Sequence, residues 1–109
     1  MNDNPQNGSE RRNFFRITYS PEKRPVLIIG EYEFEIADIS EGGIRIINDG
    51  NLEIEKPVRG TAKFLYGDSI DIEGDIVWEQ DSEMGLLLNN LIPPAAMEKE
   101  QRYVILDNG

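Results

Sequence analysis

From residue 24 onward, apolar and polar positions alternate in short runs, with turn residues every eight to twelve positions. That is the pattern of strands with one wet face. Arg24 to Ile29 predicts a first strand, closed by a turn at Gly30–Glu31. Glu31 to Ile39 predicts the second, with Tyr32, Phe34 and Ile36 inward and Glu31, Glu33 and Glu35 outward. Asp38 has the same parity as Phe34 and Ile36, which puts a carboxylate at the rim of the core. Gly43 to Ile47 is a third strand, with Ile44 and Ile46 inward and Arg45 outward, followed by a loop at Asn48–Asn51. Val58 to Tyr66 and Ser69 to Glu79 follow, joined by Gly67–Asp68. In the latter run Ile70, Ile72, Ile76 and Trp78 oppose Asp71, Glu73, Asp75 and Glu79. Gly74 interrupts it, which predicts a bulge or bend there. Asp81-Ser82-Glu83 reads as a hairpin loop and Met84 to Leu91 as a sixth strand, stopped by Pro93–Pro94. The period then changes. Ala95 to Leu106 predicts a helix of about three turns with Ala96, Met97, Tyr103, Val104 and Leu106 on one side. Six alternating strands over this length favour a small barrel or sandwich over an open sheet.

The remaining sequence bounds the chemistry. The chain has 109 residues, enough for one domain, and 39% of them are hydrophobic, enough for a modest core. Residues 1–9 have no periodic apolar positions and read as a disordered arm ahead of a single domain over 10–109. There is no cysteine and no histidine. Disulfides, thiolate zinc sites, cysteine nucleophiles and histidine-based triads are therefore excluded, and an enzyme is not expected. The formal charge is −10. A chain so acidic repels DNA, RNA and anionic lipid surfaces. The longest apolar run in the first half is Val26 to Ile29, far short of a membrane span. A cytoplasmic protein with no membrane insertion is the expectation.

The charge is unevenly placed. Residues 1–24 carry a net +2 and the other 85 carry −12. The basic excess centres on Arg11, Arg12 and Arg16. Arg12 and Arg16 fall on one side of either a strand or a helix, so both can close on one ligand. A guanidinium fork suits a phosphate or the O6/N7 edge of guanine, and its flat face stacks on a base. The same residues also suit a solubilising basic stretch, with Phe14 or Phe15 docked on the core. The strand end at Asp38-Ile39-Ser40-Glu41-Gly42-Gly43 has two readings as well. Asp38 and Ser40 offer hydrogen-bonding groups for a guanine while Gly43 leaves room, or the three simply build a turn. Trp78 is a packing residue or an aromatic wall, and Arg45 a surface charge or a phosphate contact. Asp71, Glu73 and Asp75 read as a solvated strand face without calcium-loop spacing, and no metal site is expected.

Taken together, Arg-Arg-x-x-x-Arg (Arg11, Arg12, Arg16) followed by Asp-x-Ser-x-x-Gly (Asp38, Ser40, Gly43) resembles the PilZ domain, the bacterial receptor module for cyclic di-GMP. Gly74-Asp75-Ile76-Val77-Trp78 and Gly85-Leu86-Leu87-Leu88 are similar to that family's paired late strands. The resemblance implies a mainly β fold, a six-stranded antiparallel barrel with a C-terminal helix. It also implies that Arg11, Arg12 and Arg16 sit on a segment that folds over the ligand, gripping phosphates and guanine edges. Asp38 and Ser40 would bind a guanine, and Gly43 would leave space for it. The expected function is a non-enzymatic cyclic di-GMP receptor that signals to a downstream protein when the ligand orders its N-terminal segment. The alternative is a PilZ-like interaction adaptor that binds no nucleotide.

Overall fold

The computed structural model describes residues 15–108. The arm at 1–9, Arg11 and Arg12 lie outside the described residues. The chain runs β1 (Ile17–Thr18), β2 (Val26–Ile29), β3 (Tyr32–Ile39), β4 (Gly43–Ile47), β5 (Val58–Lys63), β6 (Ser69–Gln80), β7 (Glu83–Leu88) and α1 (Pro94–Asn108). All pairings are antiparallel, and β3–β4 pairing closes the ring β2-β3-β4-β7-β6-β5. The result is a six-stranded barrel with one extra strand. β1 continues the edge of β3 beyond β2, with Ile17 opposite Ile39 and Thr18 opposite Asp38.

The six expected strands are β2 to β7; β4 has the expected bounds, β6 runs one residue further to Gln80, and the others differ at one or both ends. β5 stops at Lys63 and β7 at Leu88. The inward positions fill one core: Leu27, Ile36, Ile39, Ile46 and Val58 are fully enclosed, with Phe34, Ala62, Met84 and Leu86 around them. Tyr32, expected inward, is exposed, because it sits at the mouth of the β2–β3 hairpin beside the Gly30–Glu31 turn. The β6–β7 connection is tighter than the expected loop. Asp81 and Ser82, with φ of 52° and 67°, form a two-residue turn, and Glu83 already belongs to β7. Two successive left-handed residues match the twist of a hairpin.

Gly74 keeps register with both neighbours, Val58 and Leu88. It is a point of close approach: a Cβ there would come 2.5 Å from the Leu87 carbonyl oxygen. The bulge of β6 falls later, between Ile76 and Trp78. β3 has a second irregularity between Ile36 and Asp38.

The helix starts one residue earlier than expected and runs past Leu106. Its buried side is Ala96, Met97 and Glu100, with Val104 partly covered, whereas Tyr103 and Leu106 are 42% and 73% exposed. The sequence pattern misassigned that side because Glu100, a charged residue, faces inward. Its carboxylate is fully buried and accepts from the Tyr19 hydroxyl (2.7 Å), Leu65 N (3.1 Å) and Tyr66 N (3.1 Å). Three donors replace the water that a buried carboxylate loses. The contact ties the segment after β1 and the β5–β6 connection to α1. Burial, then the bond to Glu100, pushes the Tyr19 pKa well above that of an ordinary tyrosine.

Candidate functional site

The two bulges decide which side chains meet. In an uninterrupted strand Asp38 would share the face of Ile36. With Ala37 as the extra residue, Asp38 pairs directly with Arg45 while Ile39 pairs with Ile44. Directly opposed residues share a face. Ile44 and Ile46 point into the core, so Arg45 and Asp38 point outward. The expectation that Asp38 lies on the core face is thereby corrected.

The same holds for Trp78, also expected inward. Val77 is the extra residue of β6, so Ile76 pairs with Leu86 and Trp78 with Gly85. The parity flips, and Trp78 ends on the outer face, 41% exposed. Arg45 in turn pairs with Gly85. One cross-strand row therefore runs Thr18, Asp38, Arg45, Gly85, Trp78 over β1, β3, β4, β7 and β6. A Cβ on Gly85 would overlap the Trp78 indole, so the glycine lets that ring lie across β7.

Asp38 is only 4% exposed, yet it is ionically paired on both oxygens. Arg16 Nη1 donates to Oδ1 at 2.6 Å and Arg45 Nε to Oδ2 at 2.7 Å. The Arg16 side chain is more than half exposed, whereas that of Arg45 is mostly covered. Arg45 Nη1 also donates to Glu83 Oε1 at 2.8 Å. Hydrogen bonds to Asp38, then to Glu83, raise the Arg45 pKa further above its ordinary value. Asp38 thus lies between two guanidinium groups, one mostly covered on β4 and one more than half exposed ahead of β1.

Beside this row is an open cavity of about 390 Å³, lined among others by Arg16, Gly43, Arg45, Val77, Trp78 and Leu87. Its volume lies within the range of small-molecule sites. Val77, Trp78 and Leu87 give it an apolar, partly aromatic wall, and the two arginines a cationic edge. Such a cleft suits a planar base against the indole and an anionic group against the guanidinium forks. Gly43 lines it as well. Ser40 lies farther down: it is buried, its backbone N bonds the Gly43 carbonyl at 2.9 Å, and its hydroxyl is 3.5 Å from the same oxygen. It holds the β3–β4 turn closed.

Gly85, Glu83, Val77 and Leu87 were not singled out as site residues from the sequence. A glycine between inward-facing Met84 and Leu86 was the available signal for Gly85. The others needed the three-dimensional register. The larger cavity, about 410 Å³ between the 51–56 loop and β6, is lined by Glu53, Glu55 and Glu79 and holds none of the expected site residues. Among the described residues, no group of three or more acidic side chains is placed to hold a metal ion, and no helix is long and apolar enough to cross a membrane.

The fold is thus a small closed barrel that carries an arginine–carboxylate row beside an aromatic-walled cleft. The chain belongs to the PilZ domain family, whose profile matches residues 10–106. That family is one of cyclic di-GMP-binding receptors. No curated protein matches the chain.

Proposed function

We propose that this protein is a non-enzymatic cyclic di-GMP receptor whose ligand lies on the Asp38–Arg45–Gly85–Trp78 row. The observation that carries the reading is the convergence on one outward face of Arg16, Asp38, Gly43, Arg45 and Trp78, which three different strands and the segment before β1 supply. The ligand has two phosphates and two guanines. Arg16, bonded to Asp38 and more than half exposed, exchanges that carboxylate for a phosphate or a guanine edge. The freed Asp38 oxygen then accepts from guanine N1–H and N2–H₂. Trp78 supplies a stacking face, Arg45 a second cation, and Ser40 keeps the strand turn in shape beneath Gly43. Arg11 and Arg12 complete the cationic side.

Signalling follows from the exchange. β1 is already paired to β3 at Asp38, so the segment that the ligand orders is the one upstream of Arg16, in a domain spanning 10–109. The ordered segment presents a new surface to a downstream protein in the bacterial cytoplasm. Trp78 is the chain's one tryptophan, so its emission tests the reading directly. Saturating cyclic di-GMP shifts or quenches it, while GTP at equal concentration does not. An unchanged spectrum with both nucleotides contradicts the reading.

A further inference from the structure

Arg45 is held by two carboxylates that pull in different directions. Asp38 takes Nε at 2.7 Å, and Glu83 takes Nη1 at 2.8 Å. On the outer face of β7, Glu83, Gly85 and Leu87 succeed one another, paired respectively with Ile47, Arg45 and Gly43 of β4. Gly43 and Leu87 line the cleft, on one side of Arg45. Glu83 lies on the other side, next to the Asp81–Ser82 turn, and lines a different, smaller depression. The ion pair with Glu83 therefore draws the tip of Arg45 away from the cleft. The bond from Arg45 Nε to Asp38, together with the β4 backbone, already fixes the stem of the side chain. Glu83 is not needed to aim it.

The charges make the same point. Arg16, Arg45, Asp38 and Glu83 form one connected cluster whose formal charges cancel. A dianionic ligand approaching this cluster meets no net attraction from it. Without the Glu83 charge the cluster is +1, and an Nη1 proton of Arg45 is released toward the cleft.

We propose that Glu83 sets the affinity of the site by competing with the ligand for Arg45. The inference rests on the cyclic di-GMP reading given above and assigns a regulatory role to a residue outside the two sequence motifs. Binding exchanges the Arg45–Glu83 contact for an Arg45–phosphate contact, so part of the ligand's interaction is used to break a preformed pair. Such an arrangement keeps the receptor empty at low ligand concentration without weakening the groups that read the base.

The test is a calorimetric titration with cyclic di-GMP at low ionic strength, where partly exposed charge pairs are least screened. Four proteins are compared: the parent, Glu83→Gln, Arg45→Ala and the double variant. Glutamine keeps the size of Glu83, and thermal melts confirm that all four are folded. The expected result is that Glu83→Gln binds roughly tenfold more tightly than the parent, equivalent to about 1.4 kcal/mol. In the Arg45→Ala background the same substitution changes affinity by less than about twofold, because the competitor has lost what it competes for. Equal or weaker binding by Glu83→Gln, or an undiminished gain without Arg45, overturns the inference while leaving the receptor reading intact. Absence of binding by all four proteins overturns both.

Discussion

Asp38 and Arg45 stand opposite each other on the outer face of the β3–β4 ladder, 2.7 Å apart, because Ala37 is bulged out between Ile36 and Asp38. Were Ala37 a regular member of the strand, Asp38 would point into the core on the face of Ile36. The strand alternation that builds the barrel and the side chain that marks the cleft are reconciled by one inserted position.

Asp38→Ala therefore separates ligand recognition from folding. Arg16 is solvent-exposed and Arg45 keeps Glu83, so neither guanidinium is left buried and alone. The unliganded protein should lose about 1 kcal/mol, a drop of roughly 4–8 °C in thermal midpoint. Cyclic di-GMP affinity should fall by about 10- to 100-fold. Calorimetry and a thermal melt on one preparation check both, and outright unfolding would make Asp38 a structural residue only.

Gly85→Ala places a methyl group where the Trp78 indole now lies. The barrel should persist, since the clash is with a partly exposed side chain and not with backbone. The indole should swing outward, red-shifting its emission in the free protein and weakening ligand binding. An emission maximum identical to the parent's would mean that Trp78 does not rest on Gly85.

The alkaline limb of stability should report Tyr19. Its folded pKa is raised by burial and by Glu100, so the folded state retains the phenol proton after the unfolded state, with a pKa of about 10, has lost it. The associated stability is fully present below about pH 10 and is lost as pH rises beyond it. Denaturant melts from pH 8 to 11.5 should show this fall in the parent, and Tyr19→Phe should flatten it. Glu100→Ala should be far worse at all pH values, by about 3 kcal/mol or more, because it leaves Leu65 N and Tyr66 N buried without an acceptor.

Trypsin cleavage after Arg11 and Arg12 should be slowed by saturating cyclic di-GMP if the ligand orders the segment before β1. Mass spectrometry of the early fragments reads the rates. Equal rates with and without ligand, at concentrations where binding is established, would remove the proposed switch.

Much of the barrel was legible in the sequence because alternation reports one buried face, and β3 to β7 obey it over most of their length, whereas β2 is a short continuous apolar run. What escaped was set by contacts distant in sequence. The bulges at Ala37 and Val77 leave no local signal: the residues around them alternate as in a regular strand, and the neighbouring strands β4 and β7 decide the register. Both bulges carry a candidate site residue to the outer face, so the sequence named Asp38 and Trp78 while assigning each the wrong side. β1, two residues long, is too short to show a period and forms only because β3 outruns β2. Glu100 defied the helical pattern because its donors come from Tyr19 and the β5–β6 connection, far along the chain. Arg45 was placed outward correctly, but its pairing with Asp38 and Glu83 required the ladder.

The most direct test of the account is calorimetric titration of cyclic di-GMP into the parent protein and into the Arg12→Ala, Arg16→Ala double variant. The account predicts saturable binding by the parent and a loss of roughly 25-fold or more in the variant, about 2 kcal/mol or more for the two arginines together. Binding of equal strength by both proteins, or no binding by the parent, would contradict it.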